Sequence, residues 1–460
     1  MSIPLRVTDG TSPRRRAAAV GIAAGALALA LAPAGRAQGP ASEQELRAVL
    51  GAQMAQAGTT AGAYVVDLSD GHVVYDDRSA VRRVPASLEK LYTTAAALTR
   101  LGPRARLSTA VLGTGSREGP TWRGNLYLRG AGDFTFGSAS FVRKAYGTGG
   151  TVEDLARSLR RSGIRRVRGS VLADATLFTD NGGIEFDLVL CPDPLFGRGC
   201  PYGPTTFERP MPNGPRTPVS FNRGLENSTS GRPQRNPVVR SAQELGRALR
   251  RAGIRVDHPA RAGRTPRAAR VLAATRSPTV GRLALLTNHP SDNFAAETLF
   301  RVLGARFGGS GSRAGGDRAV SREIARRFGL RPAIHNGSGE SPRNRTSPRE
   351  VVTLLTGLRR SSVWRPFERS LSIVGRTGTF GAHARGTVAQ GRCRVKDGTL
   401  TSPITVANVA GYCHSVGGKR FAFAIMTNGM PVTFVPPYEI ASPVFALEDR
   451  MLEALAGYRG

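Results

Sequence analysis

Apolar residues recur at helical spacing across residues 42–57 (Leu46, Val49, Leu50, Met54), and Ser42 stands where it can cap the first turn. Residues 61–67 and 72–75 flank Ser69-Asp70-Gly71, a pattern that predicts a hairpin. A strong helix is predicted over 86–101, ended by Gly102-Pro103. From Leu107 to about Val256 the pattern changes to short strands separated by Gly, Pro and Asn, such as 125–128 and 170–172. Helical patterns interrupt this stretch at 152–162 and 241–252, and a Pro-rich loop covers 192–218. An Arg/Pro/Ala run that reads as a linker leads to Pro278, after which helices resume, two of them separated by a Gly/Ser loop at 308–316. Strands return at 404–412 and 420–427 before a closing helix at 443–456. This order predicts an α+β domain, built from residues 38–106 and 271–460, interrupted by a strand-rich inserted domain at 107–270.

The chain has 460 residues, 40% hydrophobic and 21% charged, which excludes wholesale disorder. Sixty-five Lys+Arg against 33 Asp+Glu give a net charge of +32, and only Lys90, Lys144, Lys396 and Lys419 are lysines. So large a charge favours anionic partners. The arginines are spread over the whole length and accompany no nucleic-acid motif, so nucleic acid is not an expected partner.

Arg14-Arg15-Arg16, an apolar stretch at 17–31 and Ala32-Pro33-Ala34 read as a signal peptide over 1–34, with a second cut available after Ala37. The apolar stretch is shorter than the ~20 residues that span a bilayer, so a membrane is a partner only if the signal stays uncleaved. The mature chain is expected to be exported, to the periplasm or the extracytoplasmic cell wall.

Cys191, Cys200, Cys393 and Cys413 are then disulfide candidates with three connectivities, of which 191–200 with 393–413 closes the shortest loops. Neither C-x-x-C nor H-E-x-x-H occurs, and no metal or cofactor is expected.

Ser87-Leu88-Glu89-Lys90 opens the strong helix. Spacing i to i+3 places hydroxyl and amine on one helical face, and an amine of lowered pKa can take the proton of a serine nucleophile. Alone, the motif fits a helix-start serine with a surface lysine equally well. S-x-N occurs twice. Ser220-Phe221-Asn222 lies in loop sequence and reads as structural, whereas Ser291-Asp292-Asn293 opens a helix and presents polar side chains from a rigid edge, or simply caps it. The K-x-G match, Lys396-Asp397-Gly398, precedes a strand-rich segment and suits carboxylate binding, or is a surface turn. Arg376-Thr377-Gly378 is the second choice for that role.

S-x-x-K, S-x-N and K-x-G in this order, with a long first gap, resemble the class C low-molecular-mass penicillin-binding proteins, the D-alanyl-D-alanine carboxypeptidase/endopeptidase family. Gly132-Asp133, 290–297, Asn336-Gly337-Ser338-Gly339, Arg345-Thr346-Ser347-Pro348 and 391–412 carry the same likeness. The resemblance implies a penicillin-binding/β-lactamase-like transpeptidase domain with an insertion. It implies Ser87 as acylated nucleophile, Lys90 as base, Ser291 as proton shuttle and Asn293 as holder of the substrate carbonyl. Lys396, with Asp397, Gly398 and Thr399, would bind the substrate's carboxylate, and the N–H groups of Ser87 and Thr399 would bind the oxyanion. Peptidoglycan stem peptides are the implied substrates and β-lactams the implied covalent inhibitors. Asp397 departs from the family's Lys-Thr-Gly: an ionised carboxylate replaces a hydroxyl donor beside the substrate anion. Slow or absent acylation follows as an expectation, with a peptidoglycan-binding relative of the same fold as the alternative.

Overall fold

A computed structural model describes residues 39–179, 214–226, 232–400, 404–430, 433–435, 439–441 and 443–460. Its central element is a six-stranded antiparallel sheet in the order Ser372–Ile373, Cys393–Leu400, Val406–His414, Arg420–Asn428, Gly62–Asp67, Val73–Asp77. The two middle strands are apolar on both faces because both faces are covered. Along Arg420–Asn428, Phe421, Phe423 and Ile425 enter one core with the helices Glu43–Ala57 and Pro443–Gly457. The alternate residues Ala422, Ala424 and Met426 enter the other, beneath the helices Glu89–Leu101 and Pro348–Arg359. Cys393 and Cys413 are register partners on neighbouring strands and form a disulfide. Cys191 and Cys200 lie outside the described residues.

The chain leaves this sheet through Arg106–Gly113 and returns through Arg270–Thr279, and these two strands pair with each other. The stretch read as a linker therefore contains a strand. Its outer side is largely exposed, which is why its composition looks like that of a loop. Arg106–Gly113 and Arg270–Thr279 extend a five-stranded sheet with Leu126–Arg129, Val171–Asp174 and Arg261–Ala262. An apolar cluster drawn from residues 111–273, with Trp122, Phe136, Leu155, Leu245 and Leu249 among them, lies under it. Leu107, Phe134, Phe141 and Phe178 pack against Leu283, Leu286, Phe294 and Val302, joining this region to the helix Asn293–Phe307.

The predicted helix at 86–101 is divided. Ala86–Leu88 is a tight 3-10 turn and Glu89–Leu101 is the α-helix.

Candidate active site

Ser87 sits in the tight turn, after Ala86, whose φ of 47° lies in the left-handed region. A non-glycine residue persists there only when its surroundings enforce it. Two glycines and an asparagine do so. A Cβ on Gly339 would come within 1.8 Å of the Ala86 carbonyl oxygen, so only glycine lets that loop close on the turn. A Cβ on Gly398 would come within 2.4 Å of the Pro85 oxygen and 3.2 Å of the Ser87 nitrogen. Asn408, on the next strand, donates to the carbonyls of Val84 and Pro85 at 3.0 and 2.9 Å. The serine is thus held directly against the strand Cys393–Leu400, half-buried and open at one side.

Lys90 is fully buried and donates to the Ser87 hydroxyl (2.6 Å), Asn293 Oδ1 (2.5 Å) and the Ser338 carbonyl (2.8 Å). None of these partners carries charge. Burial, followed by the nearby charge of Lys396, pushes its pKa down to about 7. The adjacent Glu89 does not offset this. Its carboxyl is pushed well above the usual range, first by burial and then by Glu297 and Asp317, which disfavours its charged form.

Glu297 fixes the Ser338 carbonyl in place by accepting from the N–H groups of Gly337 and Ser338, both at 2.8 Å. Burial opposes its charge, but Arg216, Arg301 and Ser338 hold it below the usual carboxylate range.

Ser291 and Asn293 flank Asp292, the N-cap of the helix Asn293–Phe307, which accepts from the Ala295 N–H at 2.9 Å. Asp292 also forms a buried two-point ion pair with Arg223, at 2.6 and 3.0 Å. Arg223 donates to the Tyr146 hydroxyl and lies over the Phe294 ring. The residue after Ser220-Phe221-Asn222 therefore anchors the second S-x-N. Ser291 is itself left-handed, at φ 57°.

Lys396 is equally buried and donates to Ser291 Oγ (2.9 Å), the Asp397 carbonyl (2.9 Å) and Asp397 Oδ1 (2.6 Å). The Asp397 carboxylate also accepts from Thr379 Oγ1 at 2.5 Å. Burial opposes the charge on Asp397, yet Lys396 and Thr379 hold its carboxyl below the usual range, so it is ionised. Burial lowers the Lys396 pKa too, and Asp397 opposes that shift. Thr399 is half-buried on the same strand. Arg376 points elsewhere: it is exposed, with its guanidinium against Gly391.

Short hydrogen bonds thus gather Ser87 and Asn293 on Lys90, and Ser291 and Asp397 on Lys396, with Asp292 linking the two groups through the chain. Ser338, Glu297, Thr379, Asn408 and Arg223 complete the arrangement, and no local sequence spacing announced the contacts they make. Among the described residues, no group of three or more His, Cys, Asp and Glu gathers as a metal site would require.

This fold is that of the penicillin-binding proteins. Penicillin-binding protein 4 of Haemophilus influenzae superposes with a TM-score of 0.68 at 17% identity, over 88% of this chain and 98% of that one. A second structure of that protein, in complex with a novel β-lactam, gives a TM-score of 0.63 at 19% identity, over 87% and 97%. The chain matches the D-Ala-D-Ala carboxypeptidase 3 (S13) family over residues 43–185 and 222–450 and belongs to it. A carboxypeptidase of Mycobacterium tuberculosis is 27% identical over 379 residues, 79% of this chain and 75% of that one. A D-alanyl-D-alanine carboxypeptidase of an Actinomadura species is 26% identical over 471 residues, 88% and 82% of the two chains.

Proposed function

We propose that this protein is a serine D-Ala-D-Ala carboxypeptidase/endopeptidase that cuts peptidoglycan stem peptides outside the cytoplasm through an acyl-enzyme, and that Asp397 restrains it. The observation that carries the reading is the buried Lys90, with only neutral partners, 2.6 Å from the Ser87 hydroxyl. A lysine with a pKa of about 7 is partly neutral at physiological pH and can act as a base. In the proposed reaction Ser87 Oγ attacks the penultimate D-alanine carbonyl and its proton passes to Lys90 Nζ. The N–H groups of Ser87 and Thr399 receive the oxyanion, and Asn293 orients the peptide. The C–N bond then breaks, Ser291 relays a proton to the leaving amine, and water hydrolyses the ester. The complex of the Haemophilus relative with a β-lactam supports penicillin as an inhibitor that acylates Ser87. The region 107–270, joined to the helix Asn293–Phe307 by the Phe134–Phe294 cluster, would act as an inserted domain that holds the S-x-N edge in place.

A specific observation favours a second reading. Asp397 occupies Lys396 as a substrate carboxylate would, and with Ser291 it fills the three donors of that ammonium group. An incoming anion must displace a carboxylate already bound. A weak or inactive peptidoglycan-binding relative would look like this.

Fluorescent-penicillin labelling of the mature protein, Ser87→Ala and Asp397→Thr decides between the two. Labelling of the parent, lost in Ser87→Ala, is the expected result. Labelling only in Asp397→Thr would mean an intact site disabled at one residue. Silence in both would overturn the enzyme and leave the binding module.

A further inference from the structure

Four to six residues along the strand Val406–His414 from Asn408, roughly 13–20 Å at the usual strand rise, a second concavity opens. It has a volume of about 420 Å³ and lies between the strand end at Tyr412–His414, the helix Trp364–Arg369 and the C-terminal end of Pro348–Arg359. Arg359, Arg365, Arg369 and Arg420 line it, Glu368 is its one carboxylate, and Trp364 and Tyr412 supply its aromatic wall, meeting edge to face at 4.6 Å. A smaller hollow of about 190 Å³ shares Leu68 and Arg359 with it and adds Arg360. The acid of that hollow, Asp67, is already bound to Lys419 at 2.8 Å.

None of the five arginines forms an ion pair among the described residues; Arg359 instead lies over the Trp364 ring at 5.0 Å. Helix dipoles explain Arg359 and Arg369 at helix ends. They do not explain why Arg365 and Arg420 converge on the same volume beside an aromatic wall. Four guanidinium groups around one acid, with Arg360 in the adjoining hollow, leave unmet positive charge in a concavity of ligand size. Planar guanidinium groups pair with carboxylate or phosphate at two points. A pocket this size admits a ring bearing an acidic group. A duplex would instead need contacts strung along a stripe.

We propose that this cleft is a binding site for the acidic groups of a glycan, separate from the Ser87 site. It would hold the protein on an acidic wall polymer whether or not Ser87 is acylated.

The test is calorimetric titration of the full mature chain with tetragalacturonate, using maltotetraose and a short DNA duplex as comparators. Saturable binding of the acidic tetrasaccharide, absent for the neutral one, is expected. The triple variant Arg359→Ala/Arg365→Ala/Arg369→Ala should weaken it at least roughly tenfold, since several charge-assisted contacts go at once. The exposed single variant Arg365→Glu should weaken it several-fold and keeps the result readable if the triple variant misfolds. The matched control Arg143→Ala/Arg161→Ala/Arg168→Ala, on exposed positions of the inserted region, should change affinity less than about twofold. Equal losses in both triple variants would reduce the effect to diffuse charge and overturn the site. So would tighter binding of the duplex through the same residues. Penicillin labelling run on the same variants should be unchanged, which separates failure of this site from failure of the catalytic reading.

Discussion

Lys90 and Lys396 are both fully buried, both touch a serine hydroxyl, and differ in what else they touch. Lys90 meets a hydroxyl, an amide oxygen and a backbone carbonyl. Nothing there favours the ammonium form strongly enough to offset burial, and its pKa falls to about 7. Lys396 meets an ionised carboxylate 2.6 Å away. That partner opposes the effect of burial and also occupies the charge. Two lysines in one site therefore acquire opposite roles from their partners: one can accept a proton, and the other is a cation with an anion already on it.

The largest break in this comparison is Lys90→Met, which removes the proposed base and keeps the volume. Penicillin acylation, followed by stopped-flow fluorescence, should fall roughly 100- to 10,000-fold. A residual rate near the parent's would mean that Lys90 is not the base.

A change that should strike both lysines at once is Arg223→Met. It strands Asp292, which sits between Ser291, the partner of Lys396, and Asn293, the partner of Lys90. Breaking a buried pair from one side costs about 3–5 kcal/mol, to be read as a lowered urea midpoint. An unshifted midpoint would show that the pair does not anchor this edge.

Asp397→Thr should sharpen the contrast by freeing Lys396 and restoring a hydroxyl donor. The gain in penicillin acylation should be roughly 10- to 100-fold, corresponding to a charge-assisted bond of about 1.5–3 kcal/mol. No gain would mean that the aspartate does not limit the reaction.

The smallest effect is on pH. A base must be neutral to act, so acylation should rise as pH increases through about 7. Asp397 raises the Lys90 pKa, so in Asp397→Thr this rise should move to lower pH, by less than about one unit. A shift upward would contradict the proposed coupling.

The readable parts of the site were those carried by local spacing. Ser87 and Lys90 are three residues apart, and Ser291 and Asn293 bracket a helix cap, so both pairs appear as motifs in the chain. The contacts that define them are distant in sequence. Lys90 reaches Asn293 and Ser338 across 203 and 248 positions, and no periodicity links them. Arg223 was invisible for another reason: in a chain rich in arginine, nothing marks the one that is buried. Thr379 directly follows the rival Arg376-Thr377-Gly378 stretch, and its contribution is a hydroxyl to Asp397 and not a guanidinium to substrate. The strand Arg270–Thr279 has the composition of a linker because only one of its sides is covered, and its pairing with Arg106–Gly113 spans the whole insertion.

The amino-acid order by itself determined the α+β class, the family and the identity of the polar groups, because helix spacing, strand alternation and three short motifs are local properties of the chain. Tertiary structure alone decided what those groups are chemically. The protonation of a buried lysine depends on its neighbours in space, and here a neutral pocket assembled from Ser87, Asn293 and Ser338 lowers one amine. The carboxylate of Asp397 holds the other amine in an ion pair.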